Sequence, residues 1–500
     1  MTQYLIDDEL AEQDLLACAT RVAETIDNVE GHAETMASAA ARYADAGQFD
    51  FAVALAETIT DPYTRDRALA HITVKSFEAG ESEYAFQLLE TIEDTSFQAE
   101  ATAQMAVRRA AAGDCAGGAE IARRLDDASY ALAEIAVKCA GAGHYDQALE
   151  IVKTIEYQGS AAYALTEIAA IHTKAGRQEE ASALLAEALV KAEAIELVED
   201  RVSMLIIIGT RYAEAEEQDK AEEVLQRAAR LAETVEHHIY RDNSTAQVSV
   251  GFARIGLHER AAEMAALVDD SFQAAAAHTV IASEHLKAGC GDEARQVLAH
   301  SLELVEAEEF YQRDAYPASK YRALSDIAVQ YAEAAMLDEA TRTAKRIESD
   351  RERNAALMEV AKAFIRAGNI DQALHAARLI EDPSVASVAF TTVAGAFLKD
   401  GQQDRAFSVL SEATRTAEGI PWANDKTLAL IEIARSYAGT EREGEVSRLL
   451  LQALETSIGI ESRHGLANAL AQLSDAYDET GVEIDERVMN ILHEIVIKLD

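Results

Sequence analysis

The sequence predicts an all-α protein: a right-handed α-α superhelix of about thirteen helical hairpins, each 33 or 40 residues long. Three observations predict it. A turn marker, usually glycine, recurs at intervals of mostly 33 residues, and a small side chain stands seven residues before nearly every marker. Hydrophobic residues make up 49% of the chain but aromatics only 6%, as expected of thin, alanine-rich helix interfaces. Finally, 500 residues contain only four prolines and no Gly/Ser-rich linker, which favours one continuous array over separate domains.

The stretch Tyr43–Ile59, YADAGQFDFAVALAETI, contains the repeating hairpin turn. Gly47 lacks a Cβ and can take the left-handed conformation that ends a first helix, and Asp50 is expected to cap the second. Ala40 and Ala52 let the two axes approach, while Tyr43 fills the wedge beside them. Equivalent markers are Gly80, Gly113, Gly143, Gly176, Gly256, Gly289, Gly368, Gly401 and Gly481, with Asp14, Glu216, Ala335 and Glu441 standing in the same register. The slot four residues before the turn is aromatic at Tyr43, Tyr212, Phe252, Tyr331, Phe364, Phe397, Tyr437 and Tyr477. His172 and His285 occupy it elsewhere and read as packing residues rather than general bases.

Repeat length follows one position, twelve residues after the turn. Short repeats carry a large aliphatic there, such as Ile59, Ile92, Ile155, Val268 or Ile380, which is read as a plug ending a short second helix. Asp61, Asp94, Asp127, Asp270 and Asp382 then cap the next helix. Ala188, Ala228, Ser301, Ala413 and Ala453 mark longer repeats, where the helix is expected to run on for about two turns.

These features resemble the tetratricopeptide (TPR) repeat family. GQFDFA at Gly47, GHYDQA at Gly143 and GNIDQA at Gly368 match its G-x-x-D-x-A turn. The resemblance covers Asp14 to Asp500, although the period is usually 33 and most repeat ends lack proline. It implies a scaffold that holds protein partners on the surface lined by first helices. TPR domains that grip a terminal carboxylate place lysine and asparagine there. Here the corresponding positions are uncharged at Ala37, Ala41, Ala70, Val74, Ala103, Val107, Ala133 and Val137, which argues for close-packed coils or an apolar, helix-like ligand.

The domain reading is a cap and half-repeat over 1–30, the array over 31–480, and a closing helix over 481–500. The formal charge is −43, from 88 acidic and 45 basic residues distributed along the whole chain. Such self-repulsion is tolerable where salt screens it, so a high-salt, halophile-type cytoplasm is expected. No basic stripe is present to neutralise nucleic-acid phosphates, and no apolar run is long enough for a membrane span. Cys18, Cys115, Cys139 and Cys290 show no metal-ligand spacing and read as reduced.

No nucleophile, base and oxyanion group recur together, and no cofactor or metal motif is present. The expectation is a non-enzymatic protein-binding scaffold; the rival is a helical-repeat enzyme or a small-molecule or anion sensor. Two sites depart from the pattern. A 46-residue repeat carries Phe310, Tyr311, Tyr316 and Tyr321, a candidate partner-binding cluster. Lys362, Arg366, Lys399 and Arg435 on first helices form a candidate anion-binding set, with pairing to nearby acids as the simpler reading.

Overall fold

The computed structural model describes residues 4–307 and 316–499, and among them every regular element is a helix. After α1 (Asp8–Ala11) and α2 (Leu15–Ala23), first and second helices alternate. They are α3 (Val29–Asp45) and α4 (Phe49–Glu57), α5 (Pro62–Glu78) and α6 (Ser82–Leu89), α7 (Thr95–Ala111) and α8 (Cys115–Ala122), and α9 (Ser129–Gly141) and α10 (Tyr145–Val152). Next come α11 (Gln158–Lys174) and α12 (Gln178–Glu193), α13 (Val198–Glu214) and α14 (Gln218–Ala232), α15 (His238–Arg254) and α16 (His258–Ala265), and α17 (Ser271–Lys287) and α18 (Gly291–Ala307). The series ends with α19 (Tyr316–Glu333) and α20 (Leu337–Ala344), α21 (Asp350–Arg366) and α22 (Ile370–Ala377), α23 (Pro383–Lys399) and α24 (Gln403–Glu418), α25 (Ala423–Tyr437) and α26 (Glu443–Ser457), α27 (Arg463–Thr480) and α28 (Glu486–Ile497). They form two compact units, Met1–Ala101 with Phe364–Asp500, and Thr102–Ala363.

The turn works as its chemistry requires. Gly47 sits at φ 76°. Its amide donates to the Ala44 carbonyl at 3.0 Å and that of Gln48 to Tyr43 at 2.8 Å, which satisfies carbonyls orphaned at the end of α3. Glu216 and Ala335 adopt the same positive φ without glycine. Two of the marker assignments and one cap need correction. Asp14 is the extended N-cap of α2, and the left-handed residue after α25 is Gly439, two residues before Glu441. Asp50 lies inside the first turn of α4, whose cap is Gln48, and accepts a hydrogen bond from the Tyr84 hydroxyl at 2.9 Å.

Second-helix length divides as the plug position predicts. α4, α6, α8, α10, α16, α20 and α22 have eight or nine residues, whereas α12, α14, α18, α24 and α26 have 15 to 17. Asp61, Asp270 and Asp382 cap the helices that follow, each accepting from a first-turn amide.

The first and last parts of the chain meet: α2, which has the place of a second helix, packs against the first helix α27 as hairpin partners do elsewhere. Arg42 pairs with Asp475 at 3.1 Å, Thr35 Oγ1 meets His464 Nδ1 at 2.6 Å, and Arg463 donates to the Thr25 carbonyl at 2.5 Å. α28 covers α1, α2 and α26.

The cysteine reading is also corrected. Cys115 and Cys139 are disulfide-bonded, with Cα atoms 5.9 Å apart, while Cys18 and Cys290 are free. Cys115 lies two residues after Gly113, and Cys139 fills the aromatic slot before Gly143. These two positions of consecutive repeats also meet elsewhere in the fold. The same contact brings Tyr145 to His172 at 4.6 Å between ring centroids and His258 to His285 at 4.1 Å.

Candidate functional site

Within Thr102–Ala363, the first helices α13, α15 and α17 pack side by side and leave a groove of about 430 Å³. Its floor is aliphatic: Ile206 and Ile207 from α13, Ala246 and Val250 from α15, Ala276 and Val280 from α17. These side chains share faces because they recur at three- and four-residue spacing. Ile206, Ala246 and Val250 hold the positions ten and six before their turns, the surface the sequence marks as uncharged.

Polar groups mark the two ends of the groove. At one, Ser203 Oγ lies 3.0 Å from Gln247 Oε1, beside Asn243 and Gln273. At the other, Arg254 is exposed and has no ion pair among the described residues. In the earlier repeats the equivalent positions divide in the same way: Ala37, Ala70, Val74 and Ala133 are buried, as Ile206 is, while Ala41, Ala103, Val107 and Val137 are half-exposed, as Ala246 and Val250 are.

Comparison with known proteins finds distant structural likeness and no family. No protein-family model and no curated protein matches it. Among solved structures it is similar to Ton1535 from Thermococcus onnurineus NA1, at 18% identity over 68% of this chain and 98% of that one, TM-score 0.32. It is also similar to the signal-transduction ATPase PH0952 from Pyrococcus horikoshii, a protein with a tetratricopeptide repeat sensor, at 14% identity over 72% of this chain and 63% of that one, TM-score 0.26. Human IFIT1, solved as a dimer with PPP-AAAA, matches at 14% identity over 83% of this chain and 96% of that one, TM-score 0.29. No activity follows from these likenesses. What decides the architecture is the chain's own geometry: left-handed turns, small residues where helices cross, and buried aromatics at Tyr43, Tyr212, Phe252 and Phe364. The fold is TPR-like.

The TPR-like register also locates the other candidates. Phe310 and Tyr311 lie outside the described residues. Tyr316 opens α19, with Pro317 in the first turn where a missing amide costs nothing, and Tyr321 is half-buried one turn on. Lys362 pairs with Glu359 at 2.7 Å on its own helix, and Arg435 bridges Glu432 at 2.5 Å and Glu479 at 2.6 Å. Arg366 is likewise partnered. Lys399 is exposed beside Asp400 and lines a shallow pocket with Asp371 and Arg405, which pair with each other.

His172 and His285 fill the packing slot. Burial pushes both imidazoles below their usual range, helped by Arg177 at the first and by His258 at the second, where Glu293 opposes the shift. His278 is shifted the same way by burial and by His300, 5.1 Å away between ring centroids. Among the described residues, no three His, Cys, Asp or Glu side chains group as metal ligands, and no helix is long and apolar enough to cross a membrane.

Proposed function

We propose that this chain is a non-enzymatic scaffold that holds a protein partner, with the groove on α13, α15 and α17 as its receptor surface. The observation that carries the reading is the aliphatic groove floor from Ile206 to Val280, bounded by polar side chains at both ends. Three parallel helices with alternating small and branched side chains suit an amphipathic helix, whose apolar side chains at i, i+3, i+4 and i+7 would enter the furrows. Ser203, Asn243 and Gln247 at one end and Arg254 at the other would fix its direction.

Ile207→Glu with Val250→Glu tests the groove. Both side chains are half-exposed, so the variant should keep its helicity and melting temperature. Affinity purification from native cells with each form should then show loss of a protein that the unmodified chain retains. An identical set of retained proteins would move the receptor surface elsewhere. The excess of acid supports a working environment of multimolar salt, and a melting temperature that does not rise with KCl would remove that part of the proposal.

A further inference from the structure

A second surface in Thr102–Ala363 is built along the starts of the first helices. Among the described residues of this unit, six of the eight large apolar side chains that are exposed lie at the cap or in the first two turns of a first helix: Tyr130, Tyr157, Tyr163, Leu197, Ile239 and Tyr240. The other two are Val190 and Leu267. Tyr130 is 66% exposed and Leu197 63%, values that packing against their own repeat would not leave. Because α9, α11, α13 and α15 run in the same direction side by side, these residues line one edge. A regular row of exposed apolar groups is an interaction surface more often than scatter.

The same edge carries a row of carboxylates. Each connection into a first helix begins with a plugging aliphatic side chain, followed directly by an acid. Glu156 follows Ile155, Glu196 follows Ile195, Glu236 follows Val235 and Asp269 follows Val268. All four acids are exposed, and none has an ion pair among the described residues. The nearby guanidinium of Arg201 turns inward and donates to the Ile195 carbonyl at 2.9 Å rather than to Glu196.

We propose that this edge docks an extended basic segment of another protein, in which Lys or Arg recurs among apolar residues. The chemistry is complementary on both counts: unpaired carboxylates meet the cations, and tyrosine faces accept their alkyl stems and charge. The spacing agrees as well. Neighbouring helix axes lie about 10 Å apart, and an extended chain of polyproline II form has three residues per turn and advances about 3.1 Å per residue, so a cation at every third residue stays on one side and meets one repeat each. A second copy of this chain would set like charges against each other, and nucleic acid would be repelled. This surface is distinct from the groove and does not depend on it.

The test is fluorescence anisotropy of the full chain with a labelled fifteen-residue peptide of repeating Lys-Leu-Ser, at the lowest KCl concentration that leaves the melting curve unchanged. Tyr157→Ser with Leu197→Ser and Tyr240→Ser should weaken binding by about tenfold or more. Glu156→Gln with Glu196→Gln and Glu236→Gln should do the same, and these exposed acids can be removed without touching the core. Glu179→Gln with Glu223→Gln and Glu259→Gln removes equal charge from second helices and should leave the affinity within about twofold. Equal weakening by that control would mean diffuse attraction and overturn the proposal. So would absence of peptide binding, or unchanged binding in the acid variant. Sedimentation showing that the unmodified chain self-associates through this edge, with peptide affinity untouched by the variants, would assign the surface to a second copy and also overturn it.

Discussion

The second helices α22 and α24 start from the same turn and stop at different places. In α22 the residue twelve after the turn is Ile380, which is buried and closes an eight-residue helix. In α24 the same position is Ala413, fully buried, and the helix runs for 16 residues. A plug is nevertheless present: Ile420 is buried seven residues after Ala413, as Ile195, Val235 and Ile460 are after Ala188, Ala228 and Ala453. Seven residues are two helical turns and return the plug to the same face. The long repeats are therefore short repeats with two turns inserted before an unchanged ending.

The strongest way to break this comparison is to remove the plug. Ile380→Ala should cost about 2–4 kcal/mol through lost burial and a residual cavity, read as a drop in the denaturation midpoint. A near-neutral result would mean that the helix stops for another reason. The converse change is Ala413→Ile, which forces bulk into a position with no free volume. It should cost about 1–3 kcal/mol, and the helix should not shorten, because Ile420 still ends it. Circular dichroism showing lost helix would contradict the inserted-turns account.

The two kinds of turn offer a smaller effect of opposite sign. Most turns place glycine in the left-handed conformation, but Glu216 and Ala335 adopt it with a side chain. Glu216→Gly should raise stability by up to about 1 kcal/mol, since relief of the backbone cost exceeds glycine's entropy penalty. A destabilised variant would show that the glutamate makes a contact that outweighs strain.

The smallest effect separates histidine-filled packing slots from aromatic ones. His285 has its pKa pulled below the ordinary 6.5 by burial and by His258, so the native state disfavours the proton. Its contribution to stability is present above pH 6.5 and is lost as pH falls below that value. His285→Phe, matching Phe252 and Phe364 in the same slot, should flatten the decline of the urea midpoint between pH 7 and 5. An unchanged slope would assign the pH dependence to other groups.

The periodic parts of this molecule were legible from sequence because each rule repeats. Glycine turns, small crossing residues and plug position each recur often enough to fix the register and the two helix lengths. Cys115 with Cys139 and α2 with α27 were not legible, since each pairing joins different repeats and leaves no local spacing signal. The groove was half-legible. Uncharged positions marked the first-helix surface, but whether helices close over it depends on their separation, which alanine and valine content does not set. The row of acids after the plugs was visible in the letters; its exposure, and its neighbours Tyr157 and Leu197, needed coordinates.

The pairing of α2 with α27 has a consequence for how the first unit holds together. An open helical array can gain or lose a unit at either end, because the last hairpin buries its face against one neighbour only. Here α2 packs against α27, which lies about 440 residues later, and the Arg42–Asp475 pair fastens α27 to the neighbouring α3 as well. Within the first unit, α2 and α27 thus join its two stretches of chain, Met1–Ala101 and Phe364–Asp500, so that hairpins far apart in sequence share one packed interior and should unfold together.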